Sequence, residues 1–127
     1  IELCEYIYDM PVKMAAADLT INRAGAMTVS ELAITGKTAI FIPSPNVAEN
    51  HQYKNARVLY DAGAAGLFEE KELADGAKPL IAEVEKLLSP EGEQIRAEMS
   101  KKIRQFAVPD SNKLIYKDIC ELVRLKK

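Results

Sequence analysis

Over roughly the first seventy residues, short apolar runs alternate with stretches whose apolar positions recur at helical spacing; beyond them only helical spacing is found. That alternation is the pattern of an α/β sheet with helices on its faces. Residues 3–7 read as a strand, and Pro11 suits the first turn of a helix passing through Met14 to Ala17. Residues 19–22 read as the next strand. Residues 23–27 then turn the chain into a helix from Thr28 to Thr35, with Gly36 as its stop. Residues 38–42, Thr-Ala-Ile-Phe-Ile, read as a buried strand, followed by a polar loop over 43–50. Residues 51–62 repeat apolar side chains at helical spacing (Ala56, Leu59, Tyr60) and end at Gly63, and 65–68 read as the last strand. Three amphipathic helices are expected over 73–88, 91–106 and 112–125. Ser89-Pro90 supplies a cap and a first-turn proline, and Pro109-Asp110-Ser111 a break and a new cap.

Composition narrows the class. With 48% hydrophobic and 28% charged residues, the 127-residue chain has the mix of a soluble globular protein of ordinary domain size. A net charge of −2 gives no bulk electrostatic pull toward nucleic acid, and the aromatic residues lack the basic interleaving of a nucleic-acid platform. Cys4 and Cys120 are too few and too far apart for a secreted disulfide framework, so reduced thiols in a cytoplasm are expected. No apolar run approaches the roughly 20 residues that span a bilayer, and no signal peptide is present. The chain opens on Ile1 and enters a strand-like run at once, which reads as the interior of a longer protein. The Lys/Glu-rich stretch over 91–104 is a solvated helix face rather than a binding site.

Two segments carry candidate chemistry. In the first, which runs from Ala17 to Glu31, a strand delivers the chain to Gly25, where a ligand can approach the backbone closely. The helix that follows turns its free N–H groups and positive dipole end outward, a geometry suited to phosphate or diphosphate. Such turns lie at the carboxyl ends of strands, where open α/β sheets bind ligands. Glu31 would be repelled by a phosphate, but it can accept two hydrogen bonds from a vicinal diol such as ribose. The same residues equally fit a capping box in which Thr28 and Glu31 satisfy each other's backbone donors, and strand–glycine–helix turns occur whatever a protein binds.

The second segment, residues 43–55, opens on the same sheet edge. Asn50, His51, Gln52 and Asn55 offer the donors and acceptors that read sugar hydroxyls, and Gln52 and Asn55 share a helix face. Polar loops and helix starts also have this composition by default. His51, the only histidine, has no evident nucleophile partner and no metal-ligand cluster around it, so neither a triad nor a zinc site is expected.

These segments are familiar. Met14-Ala-Ala-Ala-Asp18, Asn22-Arg-Ala-Gly-Ala-Met-Thr-Val-Ser-Glu31, Ala39-Ile-Phe-Ile-Pro43 and His51-Gln-Tyr-Lys-Asn-Ala56 resemble, in order and spacing, the carboxyl-terminal domain of the MurG family of bacterial glycosyltransferases. The similarity covers Tyr6 to Phe68 and continues more loosely to Val123. It implies the partial C-terminal domain of a GT-B glycosyltransferase: a Rossmann-like parallel sheet with flanking helices and a helical C-terminal tail. Residues 1–70 would be a nucleotide-sugar-binding α/β core, incomplete at its amino end, and residues 71–127 C-terminal helices of the same domain.

The resemblance further implies binding of UDP-N-acetylglucosamine, with transfer of N-acetylglucosamine to a lipid-linked cell-wall precursor by the whole enzyme. Carried over by position, the backbone at Ile7 would contact uracil, and Gly25, Ala26, Met27 and Thr28 would hold the diphosphate, with Arg23 supporting either the turn or that group. Glu31 would bind ribose, and Gln52 and Asn55 would lie by the sugar, with His51 standing where some relatives have glutamine. No obligatory metal or other cofactor is implied. Catalytic groups and the acceptor would come from an amino-terminal domain, at the inner face of the cell membrane, and the incomplete sheet would leave an edge open to self-association.

Other readings are a GT-B epimerase acting on UDP-N-acetylglucosamine and the donor-binding subunit of a two-chain N-acetylglucosamine transferase. An α/β domain whose cap and loop bind nothing is a further reading.

Overall fold

The computed structural model describes residues 3–45, 51–107 and 119–123. Its elements follow in the order α1 (Met10–Ala16), β1 (Thr20–Asn22), α2 (Ala26–Thr35), β2 (Ala39–Phe41), α3 (His51–Asp61), β3 (Gly66–Leu67), a 3-10 turn (Glu70–Leu73), α4 (Lys78–Leu88) and α5 (Gly92–Arg104). Residues 119–123 are also helical; the rest of the helix expected over 112–125, and the break before it, fall outside the described residues, as do residues 46–50 of the polar loop.

The three strands form one parallel sheet in the order β1-β2-β3, with Ile21 opposite Ile40 and Ile40 opposite Gly66. All three residues of β2 are buried, which the apolar run Ala39-Ile-Phe41 requires of a central strand covered on both faces. Successive side chains leave it in opposite directions. Ala39 and Phe41 join Leu32, Ala33, Ala56, Leu59 and Ile103 in a core beneath α2, α3 and α5. Ile40 points the other way and packs with Leu87 and Met99, flanked by Leu80 and Val84 of α4.

At the edge of the sheet where the strands begin, α5 closes the fold. The Ser100 hydroxyl donates to the Gly36 carbonyl at 2.5 Å, and the Thr38 hydroxyl to the Arg96 carbonyl at 3.3 Å. Gly36 ends α2 in the left-handed region at φ 66°, and a β-carbon placed there would lie 2.1 Å from Arg104 Nε. The left-handed conformation is what favours glycine at that position, since the end of the Arg104 side chain can shift aside.

Several expectations need correction. Residues 3–7 are not a strand: they are irregular and almost wholly exposed, with Leu3 97% accessible, so apolar alternation there has no sheet to join among the described residues. Helix α2 begins at Ala26 rather than Thr28, because the cap is Gly25. Thr28 therefore lies inside the first turn and the Thr28–Glu31 capping box does not form. The helix expected from residue 73 begins only at Lys78. The chain first closes a 3-10 turn in which the Glu69 and Glu72 side chains and backbone N–H groups cap each other, and Pro79 opens the true helix. Ser89 ends α4, its hydroxyl accepting from the Gly92 N–H at 3.1 Å, and α5 starts at Gly92.

Candidate functional site

Because the sheet is parallel, Asn22, Phe41 and Leu67 end their strands side by side, and the loops that follow open on one edge. The first loop is only Arg23, Ala24 and Gly25 before α2. Ala24 is fully buried, and its carbonyl accepts from Asn55 Nδ2 of α3 at 3.1 Å. Arg23 Nη1 donates to the Ile42 carbonyl at 3.0 Å and pairs with Glu70 Oε1 at 2.5 Å. Arg23 thus braces the turn against the loops after β2 and β3.

Held on both sides, the turn presents the amino end of α2 without a side-chain cap. The first helical bond runs from the Val29 N–H to the Gly25 carbonyl at 3.0 Å, so the N–H groups of Ala26, Met27 and Thr28 lack an intrahelical acceptor. Three outward N–H groups at the positive end of a ten-residue helix are suited to an anion. Gly25 sits at φ −66° and ψ 150°, a conformation open to any residue, and a β-carbon built on it would meet nothing within 4 Å. The N-cap position itself favours glycine, and the open space beside it also leaves room for a ligand lying against the backbone.

Glu31 follows one turn later. It is exposed, and among the described residues its carboxylate makes no hydrogen bond or ion pair. It borders two adjoining depressions, one of about 300 Å³ with Ala26, Met27, Ser30 and Ile34, the other of about 310 Å³ with Met10, Met14, Ile34 and Thr35. An acceptor carboxylate between apolar walls, beside an uncapped helix end, is an arrangement that suits the sugar and base of a nucleotide.

The second segment meets the same edge. Gln52 Oε1 accepts from the Ser44 N–H at 2.8 Å, which leaves its amide nitrogen to donate elsewhere. His51 opens α3 and is exposed, and Asn55 is half-buried against the first turn. Ile7 lies in the irregular segment before α1, and no hydrogen bond among the described residues ties it to the turn at Gly25.

A third cavity of about 340 Å³ lies between the loops after β2 and β3, lined by Pro43, Ser44, Pro45, Tyr53, Glu69, Glu70 and Lys71. Sequence reasoning did not single out Tyr53 or the acidic run at 69–72. The contact of Glu70 with Arg23 joins residues far apart in the chain, and no local pattern marks it. No group of three metal-ligating side chains occurs among the described residues.

The family model described as the glycosyltransferase family 28 C-terminal domain matches residues 1–115. Over all 127 residues the chain is 42% identical to the UDP-N-acetylglucosamine–N-acetylmuramyl-(pentapeptide) pyrophosphoryl-undecaprenol N-acetylglucosamine transferase of Flavobacterium psychrophilum, covering 33% of that protein. It is 40% identical to the transferase of the same name from Christiangramia forsetii, over 96% of this chain and 32% of the relative. A crystal structure of Acinetobacter baumannii MurG superposes with a TM-score of 0.82 at 33% identity, over 94% of this chain and 35% of that one. The chain spans about a third of the length of the curated relatives it matches.

Proposed function

The chain belongs to the glycosyltransferase family 28 C-terminal domain family, and on that premise we propose that it forms the donor-binding part of an N-acetylglucosaminyltransferase. The whole enzyme would move N-acetylglucosamine from UDP-N-acetylglucosamine to undecaprenyl-pyrophosphoryl-N-acetylmuramyl-pentapeptide, a step of peptidoglycan synthesis. The relatives' names support the reaction, and one observation in this chain supports the donor role: the uncapped amino end of α2 behind an unobstructed Gly25, with Glu31 one turn on.

In this reading the diphosphate accepts from the N–H groups of Ala26, Met27 and Thr28, and Glu31 takes both ribose hydroxyls. The uracil lies toward the backbone at Ile7. Gln52 faces the sugar through its amide nitrogen and His51 lies beside it at the start of α3, while Asn55 shapes the turn as well as the sugar subsite. Arg23 supports the turn, with its Nη1 held between the Ile42 carbonyl and Glu70. Preorganised N–H groups aimed at the diphosphate also stabilise it as UDP departs from the anomeric carbon, because they need no reorganisation as charge develops. No general base is assigned to this chain; activation of the acceptor hydroxyl falls to the rest of the protein.

Residues 1–70 act as the core that holds the donor and residues 71–127 as helices of the same domain. Packing of α5 against α2 and of Leu87 against Ile40 supports that division. No helix among the described residues is long and apolar enough to cross a membrane. The reading has the whole protein meet its lipid-linked acceptor by peripheral association, with consequences for cell shape and division. Among the described residues no strand pairs with the outer edge of β1, where Ile21 is 49% exposed, and this edge is the surface proposed for self-association.

The test is titration with UDP-N-acetylglucosamine, UDP-N-acetylgalactosamine and UDP, beside Glu31→Ala. Saturable binding of UDP and its N-acetylglucosamine sugar, lost in the variant, is expected; a folded full-length protein that binds none of them overturns the reading.

A further inference from the structure

The site's least expected contact is the one between Arg23 and Glu70. A single guanidinium nitrogen reaches the Ile42 carbonyl at 3.0 Å and the Glu70 carboxylate at 2.5 Å, so one side chain joins the loops that leave all three strands. Arg23 lies two residues before the helix cap at Gly25. Its neighbour Ala24 is held from the other side by Asn55. Backbone bonds from the Ile42 N–H to the Asn22 carbonyl and from the Phe68 N–H to the Phe41 carbonyl join the strand ends, and Arg23 adds the side-chain tie between the turn and the loops beyond them. Glu70 is in turn held at the first position of the 3-10 turn by the reciprocal cap of Glu69 and Glu72. Lys71 turns to Glu69 at 3.4 Å, so Arg23 is the cationic partner of Glu70 among the described residues.

We propose that Glu70 is a positioning residue for donor binding, which acts through Arg23 to fix the gap between the diphosphate turn and the loop carrying Ser44. Gln52 reads that loop directly through the Ser44 N–H, so a change in the gap shifts the sugar-facing amide relative to the helix end. The pair also satisfies the Arg23 charge, which keeps the guanidinium in the brace instead of drawing it toward the diphosphate. This inference rests on the donor-binding reading above.

The test uses steady-state kinetics of the full-length protein, with donor and acceptor varied separately, and thermal melting of each variant. Both partners are about half exposed, at 53% and 43%. Glu70→Gln is therefore expected to raise the donor KM about two- to fivefold, the scale of an exposed ion pair. The kcat, the acceptor KM and the Tm should stay unchanged. Glu70→Asp should recover part of the loss, and Glu70→Gln should add nothing to Arg23→Gln, since one acts through the other.

An unchanged donor KM in Glu70→Gln overturns the proposal. So does a lowered one, which would mean that Glu70 competes with the diphosphate for Arg23. Additive effects in the double variant, or a rise in both KM values with a fall in Tm, would show an independent or merely structural role. Failure of the unaltered protein to bind UDP-N-acetylglucosamine is a separate result, and it removes the donor-binding reading along with the proposal.

Discussion

Replacing Gly25 by alanine separates folding from binding at the centre of the site. The residue caps α2 at φ −66° and ψ 150°, and a β-carbon there would meet no atom of the chain within 4 Å, so no steric cost of folding is expected. Alanine is a poorer cap than glycine by about 0.5–1 kcal/mol. Reduced freedom of the unfolded chain returns about 0.4–1 kcal/mol. The two nearly cancel, which leaves the net within about 0.5 kcal/mol and the Tm within roughly 3 °C for a chain of this size.

Donor binding should respond very differently to the same methyl group. It would stand beside the N–H groups of Ala26 and Met27, in the space assigned to the diphosphate, and lengthening even one charge-assisted hydrogen bond costs about 1.5 kcal/mol or more. UDP affinity should therefore fall at least about tenfold. Calorimetric titration with UDP, paired with a melting curve, reads both quantities on one sample. A folded variant that binds UDP as the parent does would refute the placement of the diphosphate. A Tm drop beyond about 8 °C would refute the claim that folding does not need this glycine.

Other substitutions probe the remaining links. Glu31→Ala should weaken UDP by about ten- to a hundredfold, through loss of a charge-assisted pair of hydrogen bonds, with little effect on melting, measured by the same titration. Gly36→Ala should destabilise the fold by about 1–2 kcal/mol, because alanine is strained in the left-handed backbone at φ 66° while the end of Arg104 shifts aside; denaturant unfolding checks it. Leu87→Ala should cost about 2–5 kcal/mol in the same assay, as it empties the cluster beneath Ile40 and Met99. Asn55→Ala removes the hold on the Ala24 carbonyl and should lower both stability, by about 1 kcal/mol, and UDP affinity, a joint change that Glu31→Ala should not show.

The sequence carried more of the helix ends and central strand than of the chain's start. Gly36 announced the end of α2, and Ala39-Ile-Phe41 announced a strand buried on both faces, because each is a local demand of backbone or solvent. Residues 3–7 have the same apolar look, yet a strand exists only with a neighbour, and pairing is not a local property. The start of α2 was misplaced by two residues because Thr28 and Glu31 have the composition of a cap; only the buried Ala24 and its bond to Asn55 fix Gly25 as the cap. The late start of α4 was in principle readable from Pro79, which belongs in a first turn. Within the candidate site, the strand–glycine–helix turn at Gly25 was legible as local pattern, whereas the contact of Arg23 with Glu70 was not, since each of those residues is ordinary in its own neighbourhood.

The two ends of the sheet are secured by different means. At the end where strands begin, α5 is fastened by Ile103 and Met99 within the cores and by hydroxyl bonds to Gly36 and from Thr38. At the end where strands finish, the loops are tied by side chains reaching backbone groups, Arg23 donating to the Ile42 carbonyl and Gln52 accepting from the Ser44 N–H. Substitution at the second end therefore exchanges one solvent-facing tie for another, while substitution at the first leaves a void or a clash. A lineage could drift from one nucleotide sugar to another by changes at Ser44, Gln52 or Glu70 without approaching the threshold of unfolding. The sheet's foot, by contrast, would hold its residues fixed through that drift, so that divergence among descendants would gather on one rim of the molecule.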